Sequence, residues 1–171
     1  GRGGRGERHP GALMPIVLCR VDDRLVHGQV VMGWGRPLDL KRIVLVDDEV
    51  RASPWEQELY RMAAPSEIAL DFVSAEEAAP RLAGWEAGRE RVLVLVGTIA
   101  AAAELLRRAP GAVHRLNLGG IHAGPGRRER LRYLYLSDAE LTTLQGLARG
   151  GVAITAQDVP TSRPVPLEDL E

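Results

Sequence analysis

Ile16-Val-Leu-Cys-Arg20-Val-Asp-Asp-Arg-Leu-Val-His27-Gly-Gln-Val30 runs an apolar, strand-like segment into a short charged stretch and places a histidine where a helix should begin. A strand, a loop and a helix start in that order form the repeating unit of an open α/β sheet, whose ligands bind beyond the carboxyl ends of the strands. The loop has the chemistry of a phosphate site. An imidazole is largely neutral and nucleophilic near neutral pH, the first N–H groups of a helix attract anions, and arginines hold phosphate oxygens bidentately. The local residues point to phosphoryl transfer through His27.

Beyond this unit, short β-branched runs alternate with helical patterns. Ile16–Cys19, Ile43–Val46, Ile68–Val73, Val92–Val96, Val113–Leu118, Tyr133–Leu136 and Val152–Thr155 read as strands, most of them continuously apolar, as buried parallel strands are. Helix starts are marked by capping-box spacings at Ser53/Glu56, Ser74/Glu77 and Ser137/Glu140, where serine oxygen and glutamate carboxylate satisfy each other's backbone N–H groups. Pro54 suits a first helical position, whereas Pro80 is expected to end or kink the helix begun at Ser74. Thr98–Arg108 reads as a helix stopped by Ala109-Pro-Gly111, and Leu141–Arg149 as one capped by Gly150-Gly151. The expected fold is a single α/β domain, an open, mainly parallel, doubly wound sheet of about seven strands flanked by helices. After Thr155, prolines at 160, 164 and 166 argue against strand pairing and for an extended tail over the surface.

Within the first loop, Arg20, Asp22, Arg24, Gly28 and Gln29 separate His27 from an ordinary surface or capping histidine. A phosphoryl group on the ring brings close to two negative charges. Each charge-assisted hydrogen bond to it contributes about 1.5–3 kcal/mol, against about 0.3–1 kcal/mol from a helix terminus, so the arginines decide the site and the helix assists. Gly28 leaves room for an anion to approach the backbone. Asp22 or Asp23 could fix the imidazole tautomer, or instead cap the helix or pair with an arginine.

Asp47-Asp-Glu49 follows the second strand in the same layer and could orient arginines or bind a metal; its plainer reading is a solvated loop leading to the Ser53 cap. Asn117-Leu-Gly-Gly-Ile-His122-Ala-Gly-Pro-Gly126 follows the fifth strand and could form a second wall of the site. His122 reads as a turn histidine without a partner rather than as a phosphate contact. Arg127, Arg128 and Arg130 could meet an acidic surface, although charge runs more often form plain solvated faces. His9 and His114 attract no role.

Composition narrows the alternatives. A chain of 171 residues with 45% hydrophobic and 26% charged content fits one ordinary globular domain. A formal net charge of −1 provides no field to recruit nucleic acid or membrane, and 4% aromatic content is too little for a base-stacking platform. One cysteine, Cys19, allows no internal disulfide framework and fits a reducing compartment. Lys41 is the only lysine and lies outside any P-loop pattern. No zinc-ligand spacing and no G-x-S-x-G elbow occurs, so neither a metal nor a cofactor is expected. Gly1 to Leu13 is Gly/Arg-rich and aperiodic and reads as a disordered extension. Its G-x-G-x-x-G match, Gly1/Gly3/Gly6, follows no strand and carries no dinucleotide reading.

Arg20-Val-Asp-Asp-Arg-Leu-Val-His-Gly-Gln-Val30 resembles the active-site loop of the IIB subunits of the mannose/fructose/sorbose type in the bacterial sugar phosphotransferase system. The likeness continues through Ile43-Val-Leu-Val-Asp-Asp-Glu-Val50, Asn117-Leu-Gly-Gly-Ile-His122 and Gly150-Gly-Val-Ala-Ile154, covering Pro15 to about Val159. The resemblance implies a phosphoryl-transfer domain over 14–159, with 160–171 as the tail. It implies that His27 takes a phosphoryl group from a phosphohistidine on a IIA partner and passes it to a sugar entering through membrane IIC and IID partners. Arg20, Asp22, Arg24, Gly28 and Gln29 fall on the family's motif, while Asp23 stands where that pattern is looser. The same resemblance implies a cytoplasmic protein held at the inner membrane face through its partners, with a homo-oligomer also possible. A regulatory module that accepts phosphate without passing it to sugar needs the same site, as does a small enzyme binding a phosphorylated metabolite. Gene neighbours separate relay from regulator, and transfer from a phosphorylated IIA protein separates both from the metabolite enzyme.

Overall fold

The computed structural model describes residues 16–171, so the expected extension over 1–13 lies outside the described residues, as does the side chain of Gln29. From Ile16 the chain forms β1 (Ile16–Val21), α1 (Gly28–Val30) running on as a π-helical turn (Val31–Gly35), β2 (Arg42–Val46), α2 (Asp48–Arg51), α3 (Pro54–Ala63), β3 (Ala69–Val73), α4 (Ala75–Ala87), β4 (Val92–Val96) and α5 (Ile99–Arg108). It continues through β5 (Arg115–Leu118), β6 (Arg127–Leu131), β7 (Leu134–Ser137), α6 (Asp138–Arg149), β8 (Ala153–Ala156), β9 (Val165–Pro166) and a closing 3₁₀ turn, Leu167–Leu170.

Seven strands form one sheet in the order β3-β2-β4-β1-β5-β8-β9, parallel throughout except for β9, which runs antiparallel to β8. The sheet is buried on both faces, as its unbroken apolar strands require. Val21, Val44, Val94, Leu116 and Ile154 pack under α4, α5 and α6. Ile43, Leu45, Leu93 and Leu95 pack under Val26, Val30 and Val31 of the α1 region, with Val50 and Tyr60 at their side.

The caps work as their spacing predicts at Ser74 and Ser137, where serine and glutamate close both halves of the box. At Ser53 the side chain accepts from the Glu56 N–H at 3.3 Å, but the Ser53 N–H donates to Val50 O at 3.1 Å, because the turn joining α2 to α3 uses it. Gly151, at φ +102°, supplies the left-handed step after α6.

Three expectations need correction. Pro80 does not end α4, which runs on to Ala87 and carries the proline in its interior. The segment read as Tyr133–Leu136 is β7, but it lies outside the main sheet, paired antiparallel with β6. The charged run Arg127-Arg-Glu-Arg-Leu131 carries no apolar signature of a strand and pairs only because its partner ribbon is at hand. The tail does pair: Val165 and Pro166 join β8 as the sheet's last strand, an edge where a residue lacking an N–H is tolerated, and Leu167 and Leu170 are buried beneath.

Candidate functional site

Strands β1, β5 and β8 are neighbours, so the loops leaving their carboxyl ends meet. In register, Arg20 stands beside Asn117 of β5, and the two side chains share one face of the sheet. Arg20 is wholly buried. Its guanidinium donates to Asn117 Oδ1, to the carbonyls of Gln157 at 2.8 Å and Asp158 at 3.1 Å, and to Asp22 Oδ2 at 3.2 Å, and it lies 4.6 Å from the centre of the Trp34 ring. Burial pushes this guanidinium below its ordinary value, against the pull of Asp22. Placed so, Arg20 is a buried clasp joining three loops, rather than one of two arginines open to an anion.

Asp22 is equally buried. Besides Arg20 it receives three bonds from Arg24: the backbone N–H at 3.1 Å, Nε at 3.0 Å and Nη2 at 2.9 Å. Burial alone raises a carboxyl's pKa; here the Arg24 hydrogen bonds and the charges of both arginines outweigh it and hold Asp22 below the usual carboxylate range. Arg24 keeps 28% of its side chain exposed and comes within 4.0 Å of Asp158; its hydrogen bonds to Asp22 raise its pKa, with burial opposing. The two glycines after β5 make this packing possible. A Cβ on Gly119 would fall inside the Arg20 guanidinium and the Asp22 carboxylate, and one on Gly120 would press on Arg24 Nε at 3.1 Å.

Asp23 turns the other way. It accepts from the His122 N–H at 2.7 Å and from His122 Nδ1 at 2.8 Å, while its own N–H donates to Gly120 O at 2.9 Å. The expectation of a partnerless His122 is therefore corrected: its ring is tied to the first loop. Arg127 pairs with Glu140, and Arg128 and Arg130 with Asp138, so these arginines are engaged within the domain.

His27 takes the N-cap position of α1 at the loop's far end, in extended backbone and with no capping bond from its side chain. Leu25, in the left-handed region at φ 58°, precedes it, and the Leu25 carbonyl lies 2.9 Å from His27 Nδ1. A carbonyl only accepts, so Nδ1 carries the proton. Nε2 bears the lone pair, and it is buried without a partner. The ring as a whole is half-buried. Gly28, exposed, opens the helix with nothing within 4 Å of where its Cβ would be.

The acids after β2 have local duties: Asp47 caps α2 by accepting from Val50 N–H at 2.9 Å, and Asp48 accepts from Ala75 N–H at 3.2 Å. Among the described residues, no group of three or more His, Cys, Asp or Glu is gathered to hold a metal. The structure thus ties Arg20, Asp22 and Arg24 into one cluster at the start of the loop, with Arg20 beneath, and sets His27 and Gly28 at the loop's end, where α1 begins. The sequence offered the stretch from Asn117 as a second wall, and Asn117 does hold Arg20; Trp34, Gln157 and Asp158 it missed. Only Asn117, a polar residue inside an apolar strand, carried a signal.

Residues 16–170 match the family model of the sorbose-subfamily IIB component of the PTS. The chain is 29% identical over 157 residues to the N-acetylgalactosamine-specific phosphotransferase enzyme IIB component 2 of Escherichia coli K12, covering 91% of this chain and 98% of that protein. It is 28% identical to the sorbose-specific EIIB component of Klebsiella pneumoniae, over 91% and 94% of the two chains. It is 27% identical to the mannose-specific EIIAB component of Escherichia coli K12, of which it covers 50%. The crystal structure of the IIBSor domain of the sorbose permease from Klebsiella pneumoniae superposes with a TM-score of 0.81 at 27% identity, over 91% of this chain and 94% of that one. That of manxB from Thermoanaerobacter tengcongensis superposes with a TM-score of 0.80 at 29% identity, over 91% and 93%. A parallel sheet with a histidine loop at its centre and a family match over nearly its whole described length place this chain among the sorbose-subfamily IIB components of the sugar phosphotransferase system, whose members are phosphotransferases of sugar uptake.

Proposed function

We propose that His27 is the residue that carries the phosphoryl group, received from a phosphohistidine on a IIA partner and passed to a sugar held by membrane IIC and IID partners. The observation that carries this reading is the position of His27, at the start of the helix after the central strand β1, in the same short loop as an arginine that Asp22 holds in place. The mannose-specific relative, named EIIAB, supports a IIA protein as the donor. No helix among the described residues is long and apolar enough to cross a membrane, which suits a cytoplasmic protein brought to the inner membrane face by its partners.

The neutral imidazole attacks the donor's phosphorus in line; the new N–P bond forms as the donor's N–P bond breaks, and the electron pair returns to the donor ring. Catalysis of such a loose transition state rests on positioning and electrostatics. Arg24 balances charge on the transferring oxygens, Asp22 aims it, and the backbone N–H of Gly28, with that of Gln29, faces the incoming anion. Arg20 works one layer below, holding Asp22. Because Nε2 faces inward, the ring has to rotate for transfer; this gives up the Nδ1–Leu25 bond at a cost of about 1 kcal/mol.

Incubation with a phosphoenolpyruvate-driven donor chain ending in a phosphorylated IIA protein tests the reading. His27→Ala is expected to abolish acid-labile labelling while leaving the circular dichroism spectrum and the unfolding midpoint close to wild type. Wild-type labelling of that variant removes His27 from the mechanism.

A further inference from the structure

Beside the His27 loop, toward the β6–β7 hairpin, lies an open groove of about 360 Å³ whose sides are Arg24, His122, Arg132, Tyr133 and Tyr135. Its floor is stiff: the Ile121 N–H donates to Tyr133 O at 2.9 Å, and the Tyr135 N–H to Ile121 O at 3.0 Å. His122 is aimed as well as placed. Asp23 takes Nδ1, so the proton sits there and Nε2 belongs to the exposed part of a ring that is 74% open to solvent. Arg127, Arg128 and Arg130 on the same hairpin are paired with acids. Arg132 at the hairpin tip has no ion pair or hydrogen bond among the described residues. Asp22 and Asp158 already balance Arg24 and Asp23 faces His122, which leaves Arg132 as the groove's uncommitted charge.

A volume of this size suits a small ligand. Guanidinium groups and an imidazole lining one groove call for an anion, for which arginine's planar fork fits phosphate oxygens in pairs. The two tyrosines offer flat apolar faces with a hydroxyl at the edge, a lining suited to a ring bearing hydroxyl groups. We propose that the groove binds a sugar phosphate, the product class of the transfer proposed above, and that its occupancy draws on Arg24 and so restrains further phosphorylation of His27. The choice of a sugar ester rests on that reading; the anion site itself rests on the groove. With one uncommitted charge, binding is expected in the millimolar range and to weaken with salt.

Backbone-amide NMR titration of the full chain with a hexose 6-phosphate, the unphosphorylated hexose and inorganic phosphate tests this. Saturable shifts over 120–122 and 132–135 are expected with the ester, none with the free hexose, and binding by inorganic phosphate about tenfold weaker. Arg132→Gln is expected to weaken ester binding about tenfold or more, the loss of one charge-assisted contact, and to retain His27 labelling from the donor. It is also expected to relieve inhibition of that labelling by the ester. His27→Ala should leave the groove titration unchanged, so failure of the transfer reading and failure of this one give different results. Absence of saturable shifts in the groove, inorganic phosphate binding as well as the ester, or Arg132→Gln titrating as wild type overturns the proposal.

Discussion

Asp22 is the hinge of the loop's electrostatics, because one buried carboxylate serves two arginines with opposite surroundings. Its folded-state pKa lies below the usual carboxylate range, so its stabilising contribution is fully present above that range, near pH 3.9 for an unfolded aspartate, and is lost as pH falls through the folded value. Urea unfolding measured from pH 7 downward is therefore expected to lose stability on acidification below about pH 4, and Asp22→Asn to flatten that part of the profile. The same variant leaves Arg20 buried against a neutral partner, at a cost of about 3–5 kcal/mol at pH 7; a cost below 1 kcal/mol contradicts the clasp. The residue types of this loop and its place after a central strand were legible in the sequence. The direction of Arg20 was not. A motif specifies neighbours along the chain, whereas the pleat of β1 and the register with Asn117 decide that this arginine points beneath the site.

Helices α4 and α6 show how far local signals reach. Their capping boxes form as spelled, yet α4 passes through Pro80, because packing of Ala75, Ala78 and Leu82 on the sheet outweighs the missing bond. Pro80 is exposed, so its ring contributes little packing to offset an interior proline's cost of about 3 kcal/mol. Pro80→Ala is expected to raise the unfolding free energy by about 1–3 kcal/mol in urea titration; a loss of stability instead contradicts an interior proline whose cost is not offset. The elements that escaped the sequence, β6 and β9, share a cause. Each pairs at an edge, where charges and prolines are admitted because one side of the strand makes no ladder bonds, and the apolar pattern that reveals central strands is absent.

Across the whole molecule, the alternation of apolar strands and capped helices was enough to anticipate a parallel sheet, since both faces have to be covered. The sequence suggested the stretch after β5 as a second wall but not the loop after β8, because strand order is not chain order: β5 lies beside β1 and β8 beside β5, and Gly119, His122 and Asp158 arrive from about 100 residues or more downstream. The interior also accounts for the one thiol. Cys19 is buried, and its pKa is pushed up to about 12 by that burial, so a thiol reagent is expected to leave it untouched in the native protein and to modify it only on unfolding; rapid native labelling contradicts the close packing between β1 and its neighbours. Whether His27 carries the phosphoryl group is decided by mapping the phosphate by mass spectrometry under non-acidic conditions, after transfer from a phosphorylated IIA protein. The phosphoryl group is expected on the peptide that contains His27; phosphate on the peptide containing His122, or on no histidine, rules His27 out as the carrier.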